Sequence, residues 1–503
     1  MVFSSITFLF LFLPVVLVIY HLLFLPVSLK HKQSAVFRHL ANLFLLCVSL
    51  IFYFWGEAWL VWIVIASTFV DFFCGLLISG ALHKGRIEML EESAPRTRVQ
   101  RVGLIISVTS NLLFLGFFKY FNFGVDSFNA LVPEALRLTD MMRITLPLGI
   151  SFYTFQSMSY TIDVYRGHVK ATRNLIDFAC FVTLFPQLVA GPIVRYCDIA
   201  YQLVHRKMTS QLFASGVTRF VLGLGKKVLI ANTVARAADN IFALSPDQLT
   251  SPQAWVATIC YTIQIYYDFS GYSDMAIGLG RMFGFEFLEN FNYPYISRSI
   301  QEFWRRWHIS LSTWFRDYLY IPLGGNKKGE GRTYFNLITV FFLCGLWHGA
   351  NWAYVTWGLY HGLFLVLERM GLRRLVERLP RVLQHVYTLL IVMVGWVLFA
   401  TESFSQSIII LKSMAGFAPA TASSLMLQDW LSRDVITAIL YGAIFSAPVL
   451  VQVRAWVRRI AAHRPVCAGG YELLKGVALT LIFLLCSMSL ASGTYNPFIY
   501  FRF

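Results

Sequence analysis

Two histidines in strongly aromatic surroundings are the residues of this chain best suited to chemistry. His348 lies in the run Trp347–Trp352, inside one of the most apolar stretches, and His308 lies in the run Glu302–Ser310. Ionisable side chains at membrane depth are costly, so they are functional candidates. Two imidazoles outside any metal-binding motif suit proton transfer or acyl handling, and burial favours their neutral, basic form. We therefore predict that they share a buried polar site for group transfer across a membrane.

Each histidine also has a purely structural interpretation. His348 would then be a packed residue bonded to a backbone carbonyl, but the adjacent Trp347 and the amide of Asn351 favour a site. His308 would belong to an interfacial helix with aromatic and arginine anchors. We keep that interpretation for the helix as a whole and assign His308 to the site. His361 falls on nearly the opposite helix face from His348, and we interpret it as structural.

Two carboxylates, Asp268 and Asp274, lie within a predicted membrane span. A carboxylate in lipid needs water or a partner. They either line a polar cavity or pair with an arginine such as Arg281, and we carry Asp268 forward as a channel candidate. The run Gly223–Lys227 lacks the spacing of a phosphate-binding loop.

The two histidines require two different elements to position them. Ser299 begins a capping-box pattern, which predicts a helix starting near Ile300. Apolar and aromatic residues then recur at helical spacing through Tyr318, with His308 on the apolar side, and Pro322 ends the element.

A short helical hairpin is predicted around His348. Residues 334–348 give about 15 apolar-rich positions, which reach roughly 22 Å at helical rise and fall short of a hydrocarbon core of about 30 Å. The chain then turns at Gly349–Asn351 and returns over residues 352–368. We expect His348 at the tip of this hairpin, inside the protein.

The composition indicates a multi-pass helical membrane protein. Of 503 residues, 57% are hydrophobic and 14% are charged, against roughly 25% charged in soluble domains. The alternating segments of a β-barrel are missing. The net charge of +16 fits basic cytoplasmic loops, and no basic stretch forms a nucleic-acid motif. The eight cysteines show neither zinc-ligand nor disulfide-framework spacing.

Apolar stretches predict a series of spans with a defined orientation. Lys30 and Lys32 follow the first span, and a basic cluster at 84–101 follows the third. The positive-inside rule assigns these basic segments to the cytoplasm, so the N-terminus, on the other side of the first span, is predicted to lie outside the cytoplasm. The first span has no basic n-region, so we expect it to be retained and not cleaved. The predicted spans are 5–29, 41–55, 59–80, 102–122, 144–162, 212–236, 254–282, 383–402, 436–453 and 473–492.

Residues 163–211 test this orientation, because both ends of the segment are basic. A straight span would place one basic end on the wrong side, whereas a re-entrant segment broken at Pro186 and Gly191 keeps both ends cytoplasmic. We favour the re-entrant form. Residues 283–333 are expected in the cytoplasm and residues 403–435 outside.

Five sequence runs carry a resemblance to a known family: Phe185–Arg195, Tyr267–Gly280, Glu302–Trp314, Arg316–Asn326 and Leu346–Asn351. They resemble the membrane-bound O-acyltransferases, and within that superfamily the membrane subunits of bacterial alginate O-acetylation. The resemblance covers nearly the whole chain and is strongest through 144–361.

The resemblance implies a fold, a site and a reaction. The fold would be all-α: a bundle of about ten to twelve spans, with re-entrant and short helices around a central funnel, in one domain over 1–503 that is most motif-rich at 144–368. His348 matches the family's catalytic histidine and His308 its second histidine, and sequence does not divide the roles of base, acyl acceptor and proton shuttle between them. The candidates for the substrate or donor channel are Asn351, Trp347, Trp304, Trp307, Asp268 and Ser312.

The implied reaction moves an acetyl group from a cytosolic donor, acetyl-CoA, across a bacterial inner membrane, with no bound cofactor. A periplasmic SGNH-type acetyltransferase partner then modifies an exported polysaccharide. Three alternatives stay open: a related acyltransferase acting on cellulose, peptidoglycan or teichoic acid; a proton-coupled transporter, although no inverted repeat is visible; and a non-catalytic scaffold for partner proteins.

Overall fold

The computed structural model describes residues 2–28, 35–139, 141–401, 403–417, 430–463 and 465–497. These residues form α-helices joined by short 3-10 and π-helical segments and contain no β-strand, as predicted. Lys30 and Lys32, which helped to orient the first span, lie outside the described residues, as does the middle of the 403–435 loop.

The chain divides into two compact units, each made from two stretches of sequence. The first contains Met1–Val217 and Ala276–Leu288, and the second contains Thr218–Met275 and Glu289–Phe503. The division leaves the predicted single domain untested. Along the chain the helices are α1 Leu13–Ser28, α2 Ala35–Glu57, α3 Val61–Ile78, α4 Ala81–Lys84, α5 Arg98–Leu131, α6 Ile150–Arg166, α7 Leu175–Thr183, α8 Phe185–Leu188, α9 Tyr196–Val204, α10 Ser210–Gly225, α11 Asn232–Phe242, α12 Ser251–Met282, α13 Ile300–Arg306, α14 Ile309–Phe315, α15 Glu330–His348, α16 Trp352–Leu367, α17 Arg373–Glu377, α18 Arg381–Ala400, α19 Phe404–Met414, α20 Arg433–Phe445, α21 Val449–His463 and α22 Pro465–Ala491.

A buried hydrogen-bond network joins α3, α5 and α6 in the first unit. The carboxylate of Asp71 accepts from the Ser107 hydroxyl at 2.5 Å and from the Asn111 amide at 2.8 and 3.0 Å. Ser107 is bonded in turn to Thr161 of α6 at 2.7 Å. Buried polar groups are stable when their partners are supplied inside the protein, so this network holds three apolar helices in one register.

In the second unit, α15 and α16 form the predicted hairpin with two glycines at the contact. A Cβ at Gly358 would overlap the Phe341 carbonyl, and one at Gly345 would overlap the Tyr354 carbonyl. Small residues at such positions let helix backbones approach closely. The hairpin therefore depends on glycine at both positions, and α15 begins at Glu330, four residues before the predicted arm.

The helix predicted from Ile300 begins where expected but is not continuous. Ser299 caps it by accepting from the Glu302 amide at 3.0 Å. The expectation of one helix through Tyr318 is wrong, because the chain breaks at Trp307–His308 between α13 and α14. The apolar spacing continues across the break, which is why the pattern concealed it.

Four helical segments among the described residues are long and apolar enough to cross a membrane: Val36–Ile78, Arg98–Leu131, Arg381–Ala400 and Gly469–Ala491. The total of ten to twelve spans, the central funnel and the sidedness of the chain stay predictions.

Two predicted segments are broken in the structure. Between the end of α6 and the start of α10, residues 163–211 form the short helices α7, α8 and α9, which excludes a straight span there. The re-entrant path stays a prediction. The span predicted at 436–453 is wrong as a single helix, because Arg433–Phe445 and Val449–Val457 are bent by 63°. Pro448 lies at that break, where its ring cannot continue a helix without distortion.

Candidate active site

His348 ends α15 and packs among aromatic rings. Its ring centroid lies 4.9 Å from that of Trp347, 5.1 Å from that of Trp357 and 5.2 Å from that of Phe399. The residue is only 5% exposed. Asn351 caps the following helix by accepting from the Ala353 amide at 2.9 Å. The predicted turn therefore holds His348 at the tip of the hairpin.

His308 occupies the break between α13 and α14. Its backbone has φ 43° and ψ 57°, the left-handed region, which costs a non-glycine residue about 1 kcal/mol. Its imidazole packs edge-on against Phe269, with 4.6 Å between centroids, and contacts Trp347 at 6.1 Å. The side chain is 1% exposed.

The structure thus brings both predicted histidines against one indole, that of Trp347. His308 and His348 belong to different helical elements and are distant in the sequence, yet both rings contact this indole. Their catalytic roles and a site shared between them stay predictions.

The protonation state of His308 follows from its burial. Removal from water lowers the pKa of the imidazole from its usual range to about 3, because burial penalises the charged form. The ring is therefore neutral at physiological pH. A neutral imidazole has one nitrogen that donates and one that accepts a proton.

His361, which the sequence analysis set aside, belongs to the same aromatic cluster. It is fully buried and contacts Trp304 and Trp357 with centroid separations of 5.1 and 5.2 Å. Trp357 also contacts His348. Its interpretation as structural stays a prediction.

The other channel candidates lie in the surrounding shell. Trp304 contacts Trp357 at 5.6 Å, and Trp307 contacts Trp396 at 4.8 Å. The Ser312 hydroxyl bonds back to the Trp304 carbonyl at 3.3 Å. These contacts make a packed aromatic wall, and a role in lining a channel stays a prediction for each of them.

Asp268 and Asp274 are both paired with cations. Asp268 lies 2.6 Å from the Lys227 ammonium, and both side chains are almost fully buried. Asp274 lies 2.6 Å from Arg219 and 2.7 Å from Lys226. The pairing interpretation is correct in kind, but Arg281 was the wrong partner to name. The channel role of Asp268 stays a prediction.

Two residues that position the site were missed. Asn290 bonds to the His308 break, and the buried carboxylate of Glu368 caps α13 by accepting from the Ile300 and Gln301 amides at 2.7 and 3.0 Å. Both bond to residues that are distant from them in the sequence, so no local sequence pattern indicates their role.

Residues 47–404 match the model of the membrane-bound O-acyltransferase family, MBOAT. The chain belongs to this family. It is an O-acyltransferase and a multi-pass membrane protein.

Full-length relatives narrow the group further. The chain is 43% identical to the probable alginate O-acetylase AlgI of Azotobacter vinelandii and 42% identical to that of Pseudomonas aeruginosa, covering 100% of each chain. It is also 31% identical to the peptidoglycan O-acetyltransferase of Helicobacter pylori, covering 100% of this chain and 98% of the relative. Alginate O-acetylases are thus homologues over the whole length.

Proposed function

We propose that this O-acyltransferase takes an acetyl group from cytosolic acetyl-CoA and passes it across the inner membrane for O-acetylation of an exported polysaccharide, alginate. A periplasmic SGNH-type acetyltransferase receives the group and completes the modification. The support is full-length similarity to alginate O-acetylases at 42–43% identity. No resident cofactor takes part, since acetyl-CoA is a substrate.

The observation that carries the proposal is the convergence of His308 and His348 on Trp347. An acceptor hydroxyl oxygen attacks the thioester carbonyl carbon while an imidazole nitrogen takes the hydroxyl proton. The carbon–sulfur bond then breaks, and the thiolate leaves as a thiol after receiving that proton. A positioned base of this kind contributes about 10²- to 10⁴-fold to the rate.

The cytosolic direction of supply rests on charge. Acetyl-CoA is polyanionic, and the chain carries a net charge of +16 with basic residues concentrated in the loops assigned to the cytoplasm. Surface potential of one sign raises the local concentration of the opposite ion. The N-terminus is accordingly proposed to lie in the periplasm.

Reconstitution tests the proposal. Proteoliposomes holding the full chain receive acetyl-labelled acetyl-CoA on the cytoplasmic face, with and without the periplasmic partner and alginate on the other. We expect thioester cleavage coupled to labelled polymer in the wild type and loss of both in His348→Ala. Movement of solute without thioester cleavage would instead support a transporter, and retained acetylation in a His308→Ala, His348→Ala double variant would support a scaffold.

Peptidoglycan is a second candidate acceptor, favoured by the full-length Helicobacter pylori relative. The same vesicles supplied with peptidoglycan fragments in place of alginate separate the two. We expect label in alginate and none in the fragments, because the alginate relatives share the higher identity.

A further inference from the structure

Asn290 bonds to the break that places His308 through both its backbone and its side chain. Its backbone carbonyl accepts from the Ile309 amide at 2.9 Å. Its side-chain oxygen Oδ1 accepts from the Ser310 amide at 3.2 Å and from the Ser310 hydroxyl at 2.9 Å, and faces Nδ1 of His308 at 3.1 Å. Asn290 therefore bonds to both the backbone that follows the left-handed residue and the imidazole of that residue.

These bonds determine which amide atom of Asn290 faces the ring. A backbone N–H can only donate, so the atom that bonds to the Ser310 amide must be the oxygen. An amide flip would place two donors against each other. The orientation of Asn290 is thus fixed by the chain itself, without reference to the histidine.

The tautomer of His308 follows. Nδ1 of His308 lies 3.1 Å from Oδ1 of Asn290. If Nδ1 were unprotonated, two hydrogen-bond acceptors would face each other at this distance, which is unfavourable. Nδ1 therefore carries the proton and donates it to Oδ1. In a neutral imidazole the other nitrogen, Nε2, is then unprotonated. Nε2 is buried and has no hydrogen-bond partner among the described residues. Burial also keeps the ring neutral, as its lowered pKa shows.

We propose that Asn290 is a positioning residue that fixes His308 as the Nδ1–H tautomer and so leaves Nε2 as the hydrogen-bond acceptor of this ring. The assignment rests on the proposed function and gives His308 a positioning role beside His348, which keeps the proton transfer. Nδ1–H stays bonded to Asn290, and Nε2 accepts a hydrogen bond from an O–H or N–H group of the substrate.

The first test reads the tautomer directly and does not depend on activity. Nitrogen-15 NMR of the full chain in lipid, labelled at histidine and assigned with His308→Gln, should show a protonated Nδ1 and an unprotonated Nε2. A protonated Nε2 would overturn the assignment. Because this readout needs neither donor nor polymer, it holds even if the acetyl-transfer proposal fails.

The second test separates the hydrogen bond from mere packing. Asn290→Leu keeps the volume but removes the acceptor, and we expect kcat to fall by about 100-fold with little change in KM. Asn290→Asp restores an acceptor oxygen and should recover kcat to within about tenfold of the wild type. Equal losses in both variants would overturn the proposal, because shape and not the acceptor oxygen would then matter.

Asn336 supplies the matched control. It is fully buried, and its amide donates to the Gly325 carbonyl at 3.1 Å. Asn336→Leu should leave the His308 nitrogen signals and kcat unchanged. A loss there equal to that of Asn290→Leu would mean that removal of any buried amide disables the protein, which would also overturn the specific role of Asn290.

Discussion

At the scale of single residues, aromatic rings surround the imidazole of His348. The ring contacts those of Trp347, Trp357 and Phe399, and the residue is almost fully buried. Bulk water therefore has little access to this imidazole, and removal of the ring removes a positioned polar group.

His348→Ala should abolish polymer acetylation while the protein stays folded in the membrane. Removing the ring deletes the polar group at the hairpin tip but leaves the Asn351 cap of α16 in place. We expect a loss of about 100-fold or more in acetyl transfer, measured with labelled acetyl-CoA. The thermal midpoint in detergent should fall, because the lost ring leaves a cavity, but the protein should still be folded at the assay temperature. Normal acetylation in this variant would remove His348 from the mechanism.

A single and a double substitution test whether the buried ion pair of Lys227 and Asp268 serves stability or the channel. Lys227→Met alone leaves a buried carboxylate without its cation, and such a change costs about 3–5 kcal/mol. Adding Asp268→Leu removes the stranded charge and should restore most of the thermal midpoint.

Acetyl transfer by that double variant decides the role of Asp268. If the ion pair serves the fold, activity returns together with stability. If Asp268 lines the channel, the double variant is stable and inactive. The 2.6 Å pairing of two almost fully buried groups leads us to expect the first outcome.

At the scale of elements, the hairpin of α15 and α16 depends on glycine. Gly358→Ala places a methyl group against the Phe341 carbonyl, so the helices must separate and His348 must move with them. We expect a lower thermal midpoint and weaker acetyl transfer. Gly331→Ala is the control in α15, since a Cβ there meets open space and alanine favours the helix by up to about 1 kcal/mol. Equal effects at both positions would contradict this account.

Local signals predicted the elements of the site better than its geometry. The cap at Ser299 was readable because a cap is a short-range pattern, and the turn at Gly349–Asn351 was readable from its residue types. The helices α13 and α16 both begin where expected. The break at His308 was not readable, because the aromatic spacing runs through it unchanged. The break is bonded to Asn290, a residue that lies outside any local window around His308.

The same distinction applies to charge. Sequence left two possibilities for Asp274 at membrane depth, a polar cavity or a cation partner such as Arg281, and the structure pairs it with Arg219 and Lys226. The packing of the helices determines which cation lies beside Asp274. Gly223 and Gly271 allow α10 and α12 to approach closely, and Arg219 of α10 then lies next to Asp274 of α12. Energetics predicts that a buried carboxylate needs water or a partner, but the packing of the helices determines which residue becomes the partner.

At the scale of the whole molecule, the reaction requires a definite orientation in the membrane. Basic residues are concentrated at 369–381, after the hairpin, and we expect them to lie in the cytoplasm and the loop that begins at Ser403 to lie on the other side. The helix between them, Arg381–Ala400, is one of the segments long and apolar enough to span. The donor side and the polymer side are thus assigned to opposite ends of α18.

Single cysteines at the two ends of α18 test that orientation. In a background with the eight native cysteines replaced, Arg374→Cys and Ser405→Cys both lie at exposed positions. A membrane-impermeant maleimide added to intact spheroplasts should label Ser405→Cys and reach Arg374→Cys only after permeabilisation, because basic loops are retained inside. The reverse pattern would place the basic loop in the periplasm, and acetyl-CoA could not then reach the hairpin from the side on which the cell makes it.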